Sequence, residues 1–240
     1  MQIRLGCSGW SYESWRDGVF YPPRLASGNR LRHYATRFDT VELNASFYRL
    51  PARAAAQHWA EQTSDDFRFA VKVSRYLTHT VRLNDTARHL GLLLQRIEPL
   101  RGKLGPLLWQ LPPTFKRDDD RLAWALDELP AQLRHAFEFR HPSWFVDDVF
   151  SLLLDHQVAV VIADRPDLGP LQTDRLTADF VYVRFHHGSR GRRGNYSPSE
   201  LEGWAARIRR WAREREVWAY FNNDWEGFAP KNAEALRQLL

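Results

Sequence analysis

A single cysteine, Cys7, stands in a chain of 240 residues. It cannot form an intrachain disulfide, and it cannot supply a cysteine-rich zinc or iron–sulfur site. No stretch of about 18 apolar residues runs together, and the start, Met1-Gln2-Ile3-Arg4-Leu5-Gly6, leads into no uninterrupted apolar segment. The expectation is a cytoplasmic protein without a membrane span. Lysine is scarce as well: of 34 basic residues only Lys72, Lys103, Lys116 and Lys231 are lysines. So lopsided a use of arginine suits anion recognition, but it also follows from codon composition. No phosphate-loop fingerprint, short metal-ligand motif or interdomain linker is present.

What remains is an ordinary globular composition, 44% hydrophobic and 26% charged, with a formal charge of +5 that favours anionic partners. Short β-rich runs recur at residues 3–8, 38–46, 67–74, 106–111, 135–141, 158–164, 180–186 and 216–223. Most are separated by segments of helical period. Such alternation builds parallel sheets, and eight units close a (β/α)8 TIM-like barrel, so residues 1–240 read as a single α/β domain.

The clearest helix start is Ser197-Pro198-Ser199-Glu200, a capping box followed by Leu201, Trp204, Ala205, Ile208 and Trp211 on one face. Asp85 is expected to start another helix carrying Leu90, Leu93, Leu94 and Ile97. Asp118–Asp120 would place negative charge at the start of a third. The sixth unit is the weakest, since residues 165–178 are rich in proline, glycine and aspartate and read as loop.

Neighbouring side chains on a strand face opposite ways. Val41 and Leu43 therefore face away from Glu42 and Asn44, Val71 and Val73 from Lys72, Phe137 and Phe139 from Glu138 and Arg140, and Val183 and Phe185 from Arg184 and His186. With helices outside, the apolar set packs outward and the polar set enters the lumen, joined by Gln110, Asp164, Asn222 and Asp224. Such a ring is either an active site at the strand carboxyl ends or a compensated ion network, in which Glu42 neutralises Lys72 and Glu138 neutralises Arg184 or Arg140. Taken whole, it favours the site.

Several segments, in order, resemble the YecE-like family, a domain of unknown function. They are Gly6-Cys7-Ser8-Gly9-Trp10 with Tyr12 and Trp15, Phe20-Tyr21-Pro22, Val41-Glu42-Leu43-Asn44 with Phe47-Tyr48, Phe69-Ala70-Val71-Lys72 and Gln110-Leu111-Pro112-Pro113. Further on come Glu138-Phe139-Arg140-His141-Pro142-Ser143-Trp144, Val183-Arg184-Phe185-His186 and Tyr220-Phe221-Asn222-Asn223-Asp224, then Ala229-Pro230-Lys231-Asn232-Ala233. The resemblance implies the same TIM-like barrel and brings no settled activity. Cys7 stands where the family would lead one to expect threonine, and His187 is added before the glycine.

Two functions from different classes fit these residues. The first is an enzyme of hydrolase or lyase type, acting at the carboxyl-terminal mouth on a small anionic, phosphate-bearing or nucleic-acid-derived substrate. Arg140, Arg184 and the loop Gly188–Tyr196, with Arg192 and Arg193, would bind charge ahead of a capped helix. Glu138 and Glu42 are the acid/base candidates, because paired carboxylates in different environments can take opposite protonation states. Lys72, His186 and Asp224 complete the catalytic set; Asn44, Gln110, His141, Asn222, Tyr12 and Tyr48 are candidate binding residues. No cofactor is required. A divalent metal could find ligands in His141, His186, Glu42, Glu138, Asp164 and Asp224, but Arg140 and Arg184 in the same lumen would repel it. The second function is a nucleic-acid-binding protein without chemistry, using the basic loop and exposed aromatics and losing affinity steeply with salt.

Overall fold

The eight β-rich runs become eight parallel strands: β1 Ile3–Cys7, β2 Thr40–Leu43, β3 Arg68–Lys72, β4 Leu104–Gln110, β5 His135–Glu138, β6 Ala159–Asp164, β7 Phe180–Phe185 and β8 Glu216–Phe221. The computed structural model describes residues 2–165, 173–189 and 194–240. Strands pair in the order β1-β8-β7-β6-β5-β4-β3-β2, and a parallel bridge between Ser8 and Glu42 joins the two ends. The sheet thus closes as a (β/α)8 barrel.

Alternation divides its core in two. Val41, Leu43, Val71, Val73, Phe137, Phe139, Val183 and Phe185 lie outside the sheet, in one cluster with helix residues such as Leu90, Leu122, Leu153, Ile208 and Leu236. A second, smaller cluster fills the lower lumen with Ala70, Leu108, Ala136, Val161, Phe180, Tyr182, Trp218 and Tyr220. This lumenal plug leaves the charged residues at the carboxyl ends standing on an apolar, close-packed floor.

The helices that cover the barrel are α1 Arg30–Ala35, α2 Ala45–Tyr48, α3 Arg53–Glu61, α4 Thr86–Arg96, α5 Asp119–Asp127, α6 Asp147–Asp155, α7 Pro198–Trp211 and α8 Phe228–Gln238. Helix α7 starts as its sequence dictates. Glu200 N donates to Ser197 Oγ at 3.3 Å and Ser197 N donates to Glu200 Oε2 at 2.8 Å, while Leu201, Trp204, Ala205, Ile208 and Trp211 are buried. Ser197→Ala is expected to cost about 1 kcal/mol, read as a lowered denaturation midpoint with an unchanged denaturant slope.

Asp118 caps α5 by accepting from Arg121 N. Asp85 precedes α4 but does not cap it: its backbone is left-handed at φ 53°, and its carboxylate lies 3.5 Å from Arg88 and 3.6 Å from His89. Between β6 and β7 no helix occurs among the described residues.

Candidate functional site

The centre of the upper lumen is Arg184 near the end of β7. Its side chain is 1% exposed, a position a guanidinium tolerates only when its charge is matched and its donors are used. Nε donates to Glu42 Oε2 at 3.0 Å and Nη2 to Glu42 Oε1 at 2.7 Å, a bidentate clamp that reaches across the lumen to β2. Nη1 donates to Glu138 Oε2 at 2.5 Å, on β5.

Glu42 accepts four hydrogen bonds in all and Glu138 three. Glu42 also accepts from Ser8 Oγ at 2.6 Å and from the Tyr182 hydroxyl at 2.8 Å. Glu138 also accepts from Gln110 Nε2 at 2.9 Å and from Arg140 Nε at 2.9 Å. Burial works against the charge of each. For Glu42 the Arg184 charge with the Ser8 hydrogen bond overcomes it, and for Glu138 the Arg140 and Arg184 charges do, so both carboxyls lie below their ordinary range. The two therefore share one protonation state, as ionised partners of Arg184.

Lys72, at the end of β3, stands apart from this network. No carboxylate lies within 4 Å of its Nζ among the described residues, and the Phe47 ring centroid is 4.0 Å away. Burial, followed by the Arg184 charge, brings its pKa down to about 7. The pairing of Lys72 with Glu42 suggested by adjacent strands does not form, because Arg184 occupies Glu42 from across the barrel.

Three further groups at the strand ends are uncommitted among the described residues. Asn44 Oδ1, just beyond β2, is buried without a hydrogen bond, and so is His186 Nε2, just beyond β7. His186 Nε2 lies 3.5 Å from Glu138 Oε1, outside hydrogen-bonding geometry, while Asn222 Nδ2 donates to Nδ1 at 3.2 Å and leaves the ring proton on Nε2. Burial lowers the His186 pKa to about 4, so the ring is neutral at pH 7. Arg140 spends Nε on Glu138 and keeps its two terminal nitrogens unbonded, 26% of its side chain being exposed.

His186 and Arg140, but not Asn44 or Lys72, line a cleft of about 570 Å³ together with Tyr12, Arg165, His187, Asn222, Asp224 and Trp225 among others. Asp224 faces it from the β8 side, held by Trp15 Nε1 and by Ser14 Oγ at 3.2 Å; burial raises its pKa above the ordinary value. Tyr12 donates its hydroxyl to Ser8 O.

Other sequence candidates lie elsewhere. His141 starts a short helical turn, accepting from Ser143 N at 3.2 Å, and Tyr48 is 81% exposed at the end of α2. Arg192 and Arg193 lie outside the described residues. Ser8 and Tyr182, which complete the Glu42 shell, were not expected; Tyr182 shares the strand parity of Arg184, which is the signal that could have found it. Among the described residues no group of three or more His, Cys, Asp and Glu side chains converges to hold a metal, and no helix is long and apolar enough to cross a membrane.

A family model described as "Protein of unknown function DUF72" matches residues 4–240. The chain belongs to this family. DUF72 membership agrees with the structural likeness: a crystal structure of a DUF72 family protein from Thermotoga maritima MSB8 superposes with a TM-score of 0.89. That pair is 29% identical, over 99% of this chain and 98% of the other. The chain is also similar to UPF0759 protein YunF of Bacillus subtilis (strain 168), at 26% identity over 99% of this chain and 94% of that protein. UPF0759 protein YecE of Escherichia coli (strain K12) is 34% identical over 60% of this chain and 50% of its own length.

Proposed function

We propose that this DUF72 barrel is an enzyme of hydrolase or lyase type that binds a small anionic, phosphate-bearing substrate at its carboxyl-terminal mouth, with Lys72 as the proton-accepting base. The observation that carries the reading is the contrast within one lumen. Glu42, Glu138 and Arg184 are fully committed to one another, whereas Lys72 Nζ, Asn44 Oδ1, His186 Nε2 and the Arg140 terminal nitrogens are not. Two of these, Asn44 Oδ1 and His186 Nε2, are buried without partners, at a cost of about 1–3 kcal/mol each that a bound substrate would offset.

The roles follow from these environments. An amine with a pKa of about 7 exists half as free base at neutral pH, as a general base requires. Glu138 and Glu42, locked as ionised partners of Arg184, position their neighbours instead of exchanging protons. Arg184 is the strut that holds both, with four of its five N–H donors spent on Glu42, Glu138 and Ser8. Arg140 presents two parallel N–H donors to an oxyanion at the edge of the cleft, and the His186 Nε2–H adds a neutral donor. Asn222 fixes the His186 tautomer.

A thermal-shift screen of sugar phosphates, nucleotides and oligonucleotides tests the reading, since a ligand of the folded state raises its melting temperature. A small phosphorylated compound is expected to stabilise the protein, with Arg140→Ala weakening it about 10- to 100-fold through the loss of charge-assisted hydrogen bonds. Stabilisation by oligonucleotides alone, erased by salt and indifferent to Arg140→Ala, would move the function to the surface.

A further inference from the structure

The opposite end of the lumen carries a second set of charged residues, on the same strand parity as the upper site. Arg4 and Arg68 lie two and four positions before Gly6 and Lys72, and Arg134 and Glu216 lie four before Glu138 and Tyr220. With Trp218 they line a separate cavity of about 350 Å³ at the amino-terminal mouth of the barrel. The apolar plug of Leu108, Ala136, Val161, Tyr182 and Tyr220 separates it from the catalytic end.

Positive charge predominates there. Arg4 pairs with Asp39 at 2.9 Å and Arg134 pairs with Glu216, while Arg68 donates only to the backbone carbonyls of Asp65 and Phe67 among the described residues. Two buried N–H groups in this lining have no hydrogen-bond partner: Arg4 Nε, whose nearest carboxylate oxygen on Glu216 is 3.8 Å away, and Trp218 Nε1. Arg4 is 5% and Trp218 is 3% exposed, so these are orphaned donors in a nearly dry setting. The indole fits because residue 105 is glycine; a Cβ there would lie 2.8 Å from the ring.

We propose that this lower cavity is a binding site for a small oxyanion, a phosphate or carboxylate group, received by Arg4 Nε–H, Trp218 Nε1–H and the Arg68 guanidinium. Donors predominate in the lining, and acceptor oxygens are what these orphaned N–H groups lack. A ring nitrogen beside guanidinium groups suits a compact anion whose oxygens can be shared among several donors. The site is distinct from the upper mouth and does not depend on the reaction proposed there.

The test uses the full chain carrying Arg140→Ala, which weakens anion binding at the upper mouth, and compares inorganic phosphate, acetate and chloride at equal ionic strength. Phosphate or acetate is expected to raise the melting temperature above the chloride control, and the more effective of the two identifies the group recognised. Trp218→Phe keeps the ring and removes the N–H, and Arg68→Gln removes the charge. Each is expected to lower the affinity about tenfold, read from the concentration dependence of the shift within each variant, so that any change in its basal stability drops out. Equal effects of all three salts would mean that water satisfies the two donors, and would overturn the proposal. So would a phosphate or acetate shift that both variants retain in full.

Discussion

Arg184→Met is expected to destabilise the barrel by about 3–5 kcal/mol at pH 7, the scale for removing one partner of a buried ion pair. The arginine is the shared counterion of two carboxylates that are themselves 0% and 1% exposed, so its removal strips Glu42 of its paired cation and leaves Glu138 with Arg140 alone. Methionine fills much the same space, which makes the loss electrostatic instead of a cavity effect. Its pH dependence identifies the cause. In the native protein the lowered pKa of Glu138 contributes stability that is present above its unfolded value near 4.5 and is lost as pH falls through the folded one. In the variant, Glu42 loses the charge that offsets its burial and its carboxyl rises, so its contribution is present below about 4.5 and is lost as pH rises through the raised value, whereas Glu138 keeps Arg140. The gap between the two proteins therefore closes as pH is lowered from 7 towards 4. Urea denaturation across that range reads it directly. A small deficit that does not change with pH would show that the network is hydrated and weakly coupled.

This network also marks where the sequence stops being informative. The alternation of Val41-Glu42-Leu43 and Val183-Arg184-Phe185 is enough to send the glutamate and the arginine into one lumen, because period-two patterning and helical cover fix the inward face. It does not say which cation meets which anion. Adjacent strands suggest Glu42 with Lys72, yet the long guanidinium of Arg184 spans the barrel to Glu42, 142 positions away. That contact leaves Lys72 with no carboxylate within 4 Å among the described residues, and the Arg184 charge joins burial in lowering its pKa. Parity also fails beyond the strand ends. β5 stops at Glu138, so His141 turns into a local cap, and Tyr48 lies on a helical turn and points to solvent. The lower arginines Arg4 and Arg68 obey the same alternation as the upper ring, whereas Arg134 lies just before β5. Only the closed barrel turns them towards one cavity.

Lys72→Met is expected to make the protein more stable and its reaction slower. Lowering a lysine pKa from 10.5 to about 7 means that folding disfavours the protonated amine, and at about 1.4 kcal/mol per unit the penalty approaches 5 kcal/mol when the pH is well below 7. The sign follows from proton counting. Between pH 7 and 10.5 the unfolded chain holds a proton on Lys72 that the folded chain releases, so wild-type stability rises with pH across that interval. The methionine variant lacks this component. Its advantage is therefore largest at pH 6 and shrinks towards pH 10, a trend that parallel denaturation of the two proteins measures. Activity moves the other way: loss of a general base lowers kcat by about 10²- to 10⁴-fold on a substrate found by the ligand screen. Lys72→Arg keeps a cation that does not deprotonate and is expected to remain equally slow, which separates proton transfer from charge. The wild-type rate should fall on the acid side with a midpoint near 7. If Lys72→Met instead lowered stability equally at pH 6 and pH 10, the amine would be a paired structural cation, and the base would have to be sought among the other uncommitted groups of the mouth, His186 first.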